Sequence, residues 1–352
     1  MAAGVLVLAA GCGGGGEEGT PPPLVPDLPA AGLVHFALVG DTTSARVLVD
    51  ADTDPLADVG YLLDPVDLFV FNQEGVLGPS ASTPAGCAAW PQQSLFYAPA
   101  WTAATLRRGQ ATIATLANNH VLDCGAQGLL ETRDVLADLG MATQGAGADA
   151  DAAGAPHTVD VRGTSVTLLS YLAMDRPELH AGPAVAGAAT WLTCDGAGEV
   201  AAAKARGDIV VVALHLHQGP GWTEATHADD RALIEAALDA GADIVVGHGP
   251  HVPQAVITRP GQVAFASLGN FLFGLGSRPP ETAARCIVAD VRLHADRLDI
   301  ALVPFRIHVD GTPRRASEAD AALMLEALRR ASLLEGTAMT IRDSIAYVSV
   351  QR

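Results

Sequence analysis

The chain has 352 residues, which is enough for one large α/β domain or two small ones with a full hydrophobic core. Its 39 acidic residues outnumber the 21 basic ones and give a formal net charge of −18, so it lacks the basic surface that nucleic-acid binding requires. Hydrophobic residues make up 49% of the chain, largely as alanine, and the sequence predicts no transmembrane helix because no long apolar run is free of charges and turn signals.

Residues 1–12 are similar to a bacterial lipoprotein signal. An apolar run leads through small residues to Cys12, which in a lipobox is lipidated and becomes the mature N-terminus. The run is short and no Lys or Arg precedes it, which a truncated or mis-assigned start would explain. Residues 13–32 are Gly-rich and then Pro-rich, which predicts a tether that lifts a domain spanning 33–352 off a membrane. The alternative is an apolar N-terminus without a function.

From residue 33 onward, short apolar runs typical of strands alternate with segments of helical periodicity. Strands are predicted at 34–39, 68–72, 112–116, 157–161, 165–170, 209–214, 244–246, 263–267 and 345–350, and helices at 127–139, 228–240 and 318–328. Near-continuous apolar strands between helices predict an α/β sheet that is covered on both faces. Because no second linker interrupts the pattern, we expect a single domain.

Polar motifs follow six of these strands, at the edge of an α/β sheet where ligands gather. They are Gly40-Asp41, Asn72-Gln73-Glu74, Asn118-Asn119-His120 with Asp123, His215-Leu216-His217, Gly247-His248-Gly249-Pro250-His251 and Ser267-Leu268-Gly269-Asn270. Carboxylate, amide and imidazole groups together suit divalent Mn, Zn or Fe. Two such ions need a bridging carboxylate, for which Asp41 and Glu74 are the candidates. The motifs therefore predict a site for one or two divalent metal ions.

Each motif also has an ordinary structural explanation when it is considered alone. Asp41 could cap a helix or a turn, and Glu74 could be a solvated loop charge. Asn118 and Asn119 could cap the helix that follows them, and the histidines could be half-buried side chains without a ligand. A common site is favoured because all of these residues occur at strand ends in one chain.

Three longer strings carry a resemblance to a known family. They are ANNHVLDCG at 117–125, GHGPHVPQ at 247–254 and SLGNFLF at 267–273. With the earlier GD and NQE motifs, they resemble the signature blocks of CapA-type capsule and poly-γ-glutamate synthesis proteins, in the family's order. This family is similar in fold to calcineurin-like metallophosphoesterases. The resemblance implies a metallophosphatase-like four-layer αββα sandwich.

The resemblance also implies roles for individual residues. The implied metal ligands are Asp41, Glu74, Asn119, His215, His248 and His251. His120 corresponds to the histidine that protonates a leaving group, and Asp123 is placed to orient it. His217 is a second-choice ligand, because the usual His-Trp-Gly block is here a string that contains two histidines; the length of the preceding strand favours His215.

Two departures from the metallophosphoesterase pattern bear on the metal site. The first motif there is normally Asp-x-His, but Thr43 stands in the histidine position, as in CapA proteins generally, which implies a weaker second metal. The usual double histidine after Gly247 is reduced to His248 followed by Gly249. His251 is then the second imidazole of this block.

The four cysteines other than Cys12 predict at least one disulfide in an exported protein. Their connectivity is open, and unpaired thiols in the core are the alternative. Cys124 lies inside the block that contains His120, so its pairing could hold the loop of the site.

These observations predict an exported, membrane-anchored, metal-dependent hydrolase with its domain in the periplasm or outside the cell. Its substrate would be a phosphoester or a bond in an anionic cell-surface polymer, and nucleic acid is not expected as a partner. The alternative is a non-catalytic accessory lipoprotein that binds polymer carboxylates through metal. A third possibility is a lipoprotein whose pocket has decayed, against which the intact Asn119-His120 pair argues.

Overall fold

The computed structural model describes residues 25–29, 32–48, 50, 52–79, 87, 95–216, 222–275 and 280–352. Cys12 and His217 lie outside these residues, so lipidation and the second-choice ligand remain predictions. Among the described residues, no helix is long and apolar enough to cross a membrane.

The described part of the chain alternates between short helices and strands. Its strands, in chain order, are β1 (Val34–Thr43), β2 (Leu68–Gln73), β3 (Val76–Gly78), β4 (Tyr97–Pro99), β5 (Ala111–Thr115), β6 (Ala142–Gln144), β7 (Ala146–Gly147), β8 (His157–Val161), β9 (Thr164–Leu172), β10 (Gly187–Ala188), β11 (Ile209–His215), β12 (Ile244–His248), β13 (Val256–Arg259), β14 (Gln262–Phe265), β15 (Asn270–Phe273), β16 (Arg285–Leu293), β17 (Arg297–Ile307), β18 (Pro313–Arg315), β19 (Thr340–Arg342) and β20 (Ile345–Gln351). The helices are α1 (Gly60–Leu63), α2 (Gly125–Asp138), α3 (Ala150–Gly154), α4 (Gly196–Ala205), α5 (Ala228–Asp239) and α6 (Glu318–Leu334). Short 3₁₀ helices cover Ala100–Leu106, Pro177–Leu179 and Glu281–Ala284.

Two large sheets form the centre of the protein. The first has the strand order β19-β20-β17-β16-β1-β2-β5-β6, with β15 paired to β1 and β18 paired to β17. The second has the order β13-β14-β12-β11-β9-β8. Strands β1, β2 and β5 run parallel to one another in the first sheet, and β9, β11, β12 and β14 do so in the second.

Alternation along the strands shows how the two sheets pack. In β1, Phe36 and Leu38 enter a core shared by both sheets, whereas Ala37 and Val39 enter a core on the outer face of the first sheet. That outer core includes residues of α2. In β11, Val211 likewise enters the shared core. The residues on either side of it point to the other face of the second sheet and belong to a separate core that includes residues of α4 and α5. The period-2 pattern thus produces helix, sheet, sheet and helix layers. The predicted α/β four-layer αββα sandwich with metallophosphatase-like architecture is confirmed.

The predicted elements are present, and their limits differ by a few residues. Strand β1 continues beyond residue 39 to Thr43, because its last residues pair with both β2 and β15. Helix α6 continues beyond residue 328 to Leu334, and its buried face packs into the core shared by the sheets. The long antiparallel pair β16–β17 was not predicted, although it lies at the middle of the first sheet.

A disulfide joins Cys87 to Cys124, the residue that immediately precedes α2. Cys194 and Cys286 are free thiols. The expectation of at least one disulfide is therefore confirmed, and the bond fixes Cys87 to the loop that contains His120. The bond closes a chain segment with a sequence separation of 37, which restricts the unfolded state.

We expect the Cys87→Ser/Cys124→Ser double variant to lower the free energy of unfolding by about 2–4 kcal/mol, because the unfolded chain regains the freedom that the bond removed. Urea titration of the purified protein measures this change. A thiol count provides the control: unreduced, unfolded protein that carries Cys12→Ala should have only Cys194 and Cys286 reactive. Four reactive thiols would contradict the assigned bond.

Candidate metal centre

The carboxyl ends of strands from both sheets meet at one edge of the sandwich. In the first sheet, Asp41 of β1 lies beside Asn72 of β2 in register, and Asn270 of β15 lies on its other side. In the second sheet, His215 at the end of β11 lies beside His248 at the end of β12. Parallel pairing thus aligns motifs that are far apart in sequence.

Gly40 allows the chain to bend where Asp41 enters the site. A Cβ atom at this position would lie 1.8 Å from the Gly269 carbonyl oxygen, which no side chain can tolerate. The close approach lets the Asp41 amide donate a hydrogen bond to that carbonyl at 3.0 Å. The pairing of β1 with its neighbours is irregular here, and the Asp41 side chain is fully buried.

The Asp41 side chain is held by groups from two other strand ends, those of β2 and β12. Asn72 Nδ2 donates to Asp41 Oδ1 at 2.9 Å, and the Gly249 amide donates to Asp41 Oδ2 at 2.9 Å. His248 Nδ1 lies 3.5 Å from Oδ1, and His251 Nδ1 lies 3.3 Å from Oδ2. The carboxylate is therefore fixed in orientation before any ligand binds.

Glu74 follows β2 and is fully buried, yet neither of its carboxylate oxygens has a hydrogen-bond partner among the described residues. Its Oε1 atom lies 3.8 Å from His251 Nε2 and 3.9 Å from His120 Nε2. Potential ligand atoms of Asp41, Glu74 and His251 all lie within 4.8 Å of one another. A buried carboxylate without hydrogen bonds is costly unless a cation or proton compensates it, so this cluster fits a divalent metal ion.

Two further imidazoles lie at the same edge. His248 is buried, and neither of its ring nitrogens has a hydrogen-bond partner in the described part of the chain. His215 Nδ1 lies 3.4 Å from Asn72 Nδ2, the amide that also contacts Asp41. His248 suits a metal ligand, since an imidazole nitrogen without a hydrogen bond is ready to coordinate, and His215 lies beside it at the end of the neighbouring strand.

His251 is positioned by neighbours on two sides. Its Nδ1 lies 2.9 Å from Asn270 Oδ1, and its ring stacks on Trp222 with the centroids 4.8 Å apart. Asn270 Nδ2 in turn donates to the His251 carbonyl at 3.3 Å. The backbone of His251 has φ 61°, a left-handed conformation that non-glycine residues rarely adopt. This strain is typical of functional positions, and the Asn270 contacts hold it in place.

His120 has a different environment from the other imidazoles. Its Nδ1 lies 2.8 Å from Asp123 Oδ2, which also accepts a hydrogen bond from the Phe96 amide at 2.8 Å. The His120 ring stacks on the Phe96 ring at a centroid distance of 4.2 Å. With Nδ1 paired to a carboxylate, Nε2 is the nitrogen directed to the Glu74 side of the cluster. The contact between His120 and Asp123 is one that an orienting carboxylate makes, and the roles of proton donor and orienting carboxylate remain predictions.

The two asparagines before His120 have separate functions. Asn118 Nδ2 donates to Asn72 Oδ1 at 3.1 Å and to the Gln73 carbonyl at 2.7 Å. Its own Oδ1 accepts from the His120 amide at 3.0 Å. Asn118 therefore joins two motif loops. The Oδ1 atom of Asn119 is buried without a hydrogen-bond partner among the described residues, as a candidate ligand atom should be.

The structure thus brings Asp41, Glu74, His120, Asp123, His215, His248 and His251 together at the predicted edge. Sequence reasoning assigned no function to Asn72, Asn118 or Asn270, although all three stand within the quoted motifs. The stacking partners Phe96 and Trp222 lie outside those motifs, and no sequence signal marked them.

The charges of the cluster depend on one another. Burial disfavours the Asp41 carboxylate, but the adjacent imidazoles of His248 and His251 hold its pKa well below the usual range. Burial raises the pKa of Glu74 to about 8, with His251 opposing and the carboxylates of Asp41 and Asp123 adding to the rise. Burial also acts against the His251 imidazolium, yet Glu74 and Asp41 raise its pKa to about 9. When no cation is bound, Glu74 and His251 therefore each hold a proton at neutral pH.

We expect divalent metal binding at pH 7 to release protons, because Glu74 and His251 must deprotonate before they can coordinate. The apparent affinity should increase with pH up to about 9, by about tenfold per pH unit for each proton displaced. Calorimetric titration with Mn²⁺ in two buffers of different ionisation enthalpy measures the released protons. The Glu74→Gln variant is the control and should release fewer. Equal enthalpies in both buffers would contradict this prediction.

Buried carboxylates, amides and imidazoles at the carboxyl edge of an αββα sandwich define an α/β protein with a candidate divalent-metal site. The chain belongs to the bacterial capsule synthesis protein family PGA_cap, whose profile matches residues 35–275. The resemblance to CapA-type proteins is thereby confirmed.

Similar proteins include the PGA biosynthesis protein CapA of Bacillus subtilis, which is 34% identical over 169 residues, 47% of this chain and 43% of that protein. A "Probable polyglutamine synthesis accessory protein" of Mycobacterium tuberculosis is 36% identical over 160 residues, 41% of this chain and 40% of that protein. The match thus spans less than half the length of these curated relatives. A 5'-nucleotidase precursor from Thermus thermophilus is a similar solved structure, with TM-score 0.38, 14% identity, and coverage of 79% of this chain and 52% of that chain.

Proposed function

We propose that this protein is a metal-dependent hydrolase that acts in capsule or poly-γ-glutamate synthesis. Its substrate is a phosphoester or a bond in an anionic cell-surface polymer. One observation carries the proposal: His120, oriented by Asp123, directs its Nε2 atom to the Glu74 carboxylate 3.9 Å away. Metal binding alone does not need an oriented imidazole beside the ligands, whereas hydrolysis of a bond with a poor leaving group needs a proton donor.

The residues that would hold the metal are Asp41, Glu74, Asn119, His215, His248 and His251. Mn, Zn and Fe suit this donor set, and Asp41 or Glu74 would bridge two ions. A divalent metal bound there supplies Lewis-acid polarisation of the scissile group and acidifies a nucleophilic water. The described protein groups are already held in place by Asn72, Asn270 and the Gly249 amide, which reduces the reorganisation needed for binding.

His120 is the proton donor to the leaving group in this proposal. In this role the Asp123 carboxylate accepts from Nδ1, and the proton for transfer is then carried on Nε2. Phe96 stacks against the ring and limits its rotation. Because Asp123 Oδ2 is also held by the Phe96 amide, the same segment fixes both the ring and its orienting carboxylate.

We expect His120→Ala to retain bound metal but to lose about 10²–10⁴-fold in turnover, the usual contribution of a positioned acid. His251→Ala should instead lose both metal and activity, since it removes a ligand. Metal analysis by mass spectrometry and assays with aryl phosphoesters measure the two effects. The loss in His120→Ala should shrink as the leaving group becomes more acidic.

His157→Ala provides a matched control, because this histidine lies on β8 at the far edge of the second sheet. It should change neither metal content nor turnover. Loss of metal from His120→Ala would show that His120 is a ligand and would exclude it as the donor.

The second candidate function is a non-catalytic accessory that binds polymer carboxylates through metal. It is supported by the accessory designation of the mycobacterial relative and by the partial overlap with the longer relatives. A metal-loaded protein that binds γ-linked oligoglutamate but hydrolyses neither it nor a panel of phosphoesters would favour this function.

We further propose that the protein is exported to the cell envelope and anchored through a lipid on Cys12. The relatives' names place them in capsule or polymer synthesis, which takes place at the envelope. In a host that processes the full signal, Cys12→Ala should move the protein from the membrane fraction to the soluble exported fraction. Immunoblotting of the fractions measures the shift, and Cys194→Ala is the matched control. Unchanged fractionation of Cys12→Ala would contradict lipidation.

A further inference from the structure

Arg46 is an exposed cation that follows β1 at the candidate metal centre. Most basic side chains of this acidic protein pair with a carboxylate, as Arg285 does with both Glu224 and Glu281. Arg46 has no such ion pair with any residue in the described ranges. Its charge is therefore available to a ligand.

The position of the Arg46 guanidinium is set by an aromatic ring of the site. Its Cζ atom lies 5.7 Å from the centroid of Phe96, within the range of a cation–π interaction. The same ring stacks on His120 at 4.2 Å. One aromatic side chain thus contacts both the proposed proton donor and the unpaired cation.

The backbone at Arg46 is strained in a way that fixes this position. Its φ angle is 63°, in the left-handed region that favours glycine or asparagine. Gly274 makes room for it, since a Cβ atom there would lie 2.6 Å from Arg46 Cβ. Strained backbone of this kind concentrates at functional positions, where surrounding contacts maintain it.

We propose that Arg46 binds an oxyanion group of the substrate, either a phosphate or a carboxylate, beside His120. The centre contains the carboxylates of Asp41, Glu74 and Asp123, which would repel an anionic substrate. A guanidinium at the rim offsets that repulsion and offers a planar pair of donors to two oxygens. This inference rests on the proposed function and names the group that the substrate must carry.

The test compares anion binding by metal-loaded wild type, Arg46→Asn and Arg46→Lys. Asparagine removes the charge and tolerates the left-handed backbone, so the fold should be retained, which thermal unfolding checks. Arg107→Asn is the matched control, because Arg107 is also exposed and forms no ion pair within the described residues. The probes are inorganic phosphate and a synthetic γ-linked oligoglutamate, titrated separately by calorimetry.

We expect Arg46→Asn to weaken binding of one probe by about tenfold at unchanged metal content, with Arg46→Lys intermediate and Arg107→Asn near wild type. The affected probe identifies phosphate or carboxylate as the recognised group. If the wild type binds neither probe, or if Arg46→Asn and Arg107→Asn have equal effects, the inference is overturned. Arg46-dependent binding without hydrolysis would support the inference while rejecting the hydrolase, so the two can fail separately.

Discussion

The burial of two carboxylates beside each other is the constraint on which the candidate centre depends. Asp41 and Glu74 are both fully buried, and an isolated buried carboxylate is strongly disfavoured. The protein compensates Asp41 with an amide, a backbone N–H and two imidazoles. It compensates Glu74 only with imidazoles nearly 4 Å away, so protons or a cation must supply the rest.

This difference between the two carboxylates defines how the site can work. The pKa of Asp41 lies well below its usual range, whereas burial raises the pKa of Glu74 to about 8 in the cluster without metal. A divalent cation held by Asp41, Glu74 and His251 would replace the protons that Glu74 and His251 hold. The asparagines of the motif loops supply the rigidity, because Asn118 connects two loops and Asn270 supports the strained His251. Metal binding would therefore add positive charge to a set of ligand residues that hydrogen bonds already hold in place.

The residues around His120 link the candidate metal ligands to the proposed proton donor and to the proposed substrate-binding cation. The Phe96 amide donates to Asp123 Oδ2, and the Phe96 ring contacts both the His120 ring and the Arg46 guanidinium. The Cys87–Cys124 bond ties Cys87 to the start of α2. The chain enters at the opposite edge, where residues 28 and 29 accept hydrogen bonds from Arg292 before β1 begins. The metal centre and the N-terminal segment thus lie at opposite ends of β1.

The sequence by itself determined the α/β class, the order of most strands and helices, and the motif residues of the site. It could do so because the spacing of apolar residues, and the position of a polar motif directly after an apolar run, are local properties of the chain. Only the tertiary structure decided which strands are neighbours, and hence that Asp41 contacts His248 and His251, more than 200 residues away. It also decided the contribution of Phe96 and Arg46, since stacking and the lack of an ion pair depend on which distant segments meet. Such long-range contacts leave no periodic signal in the chain, which is why no motif marked these two residues.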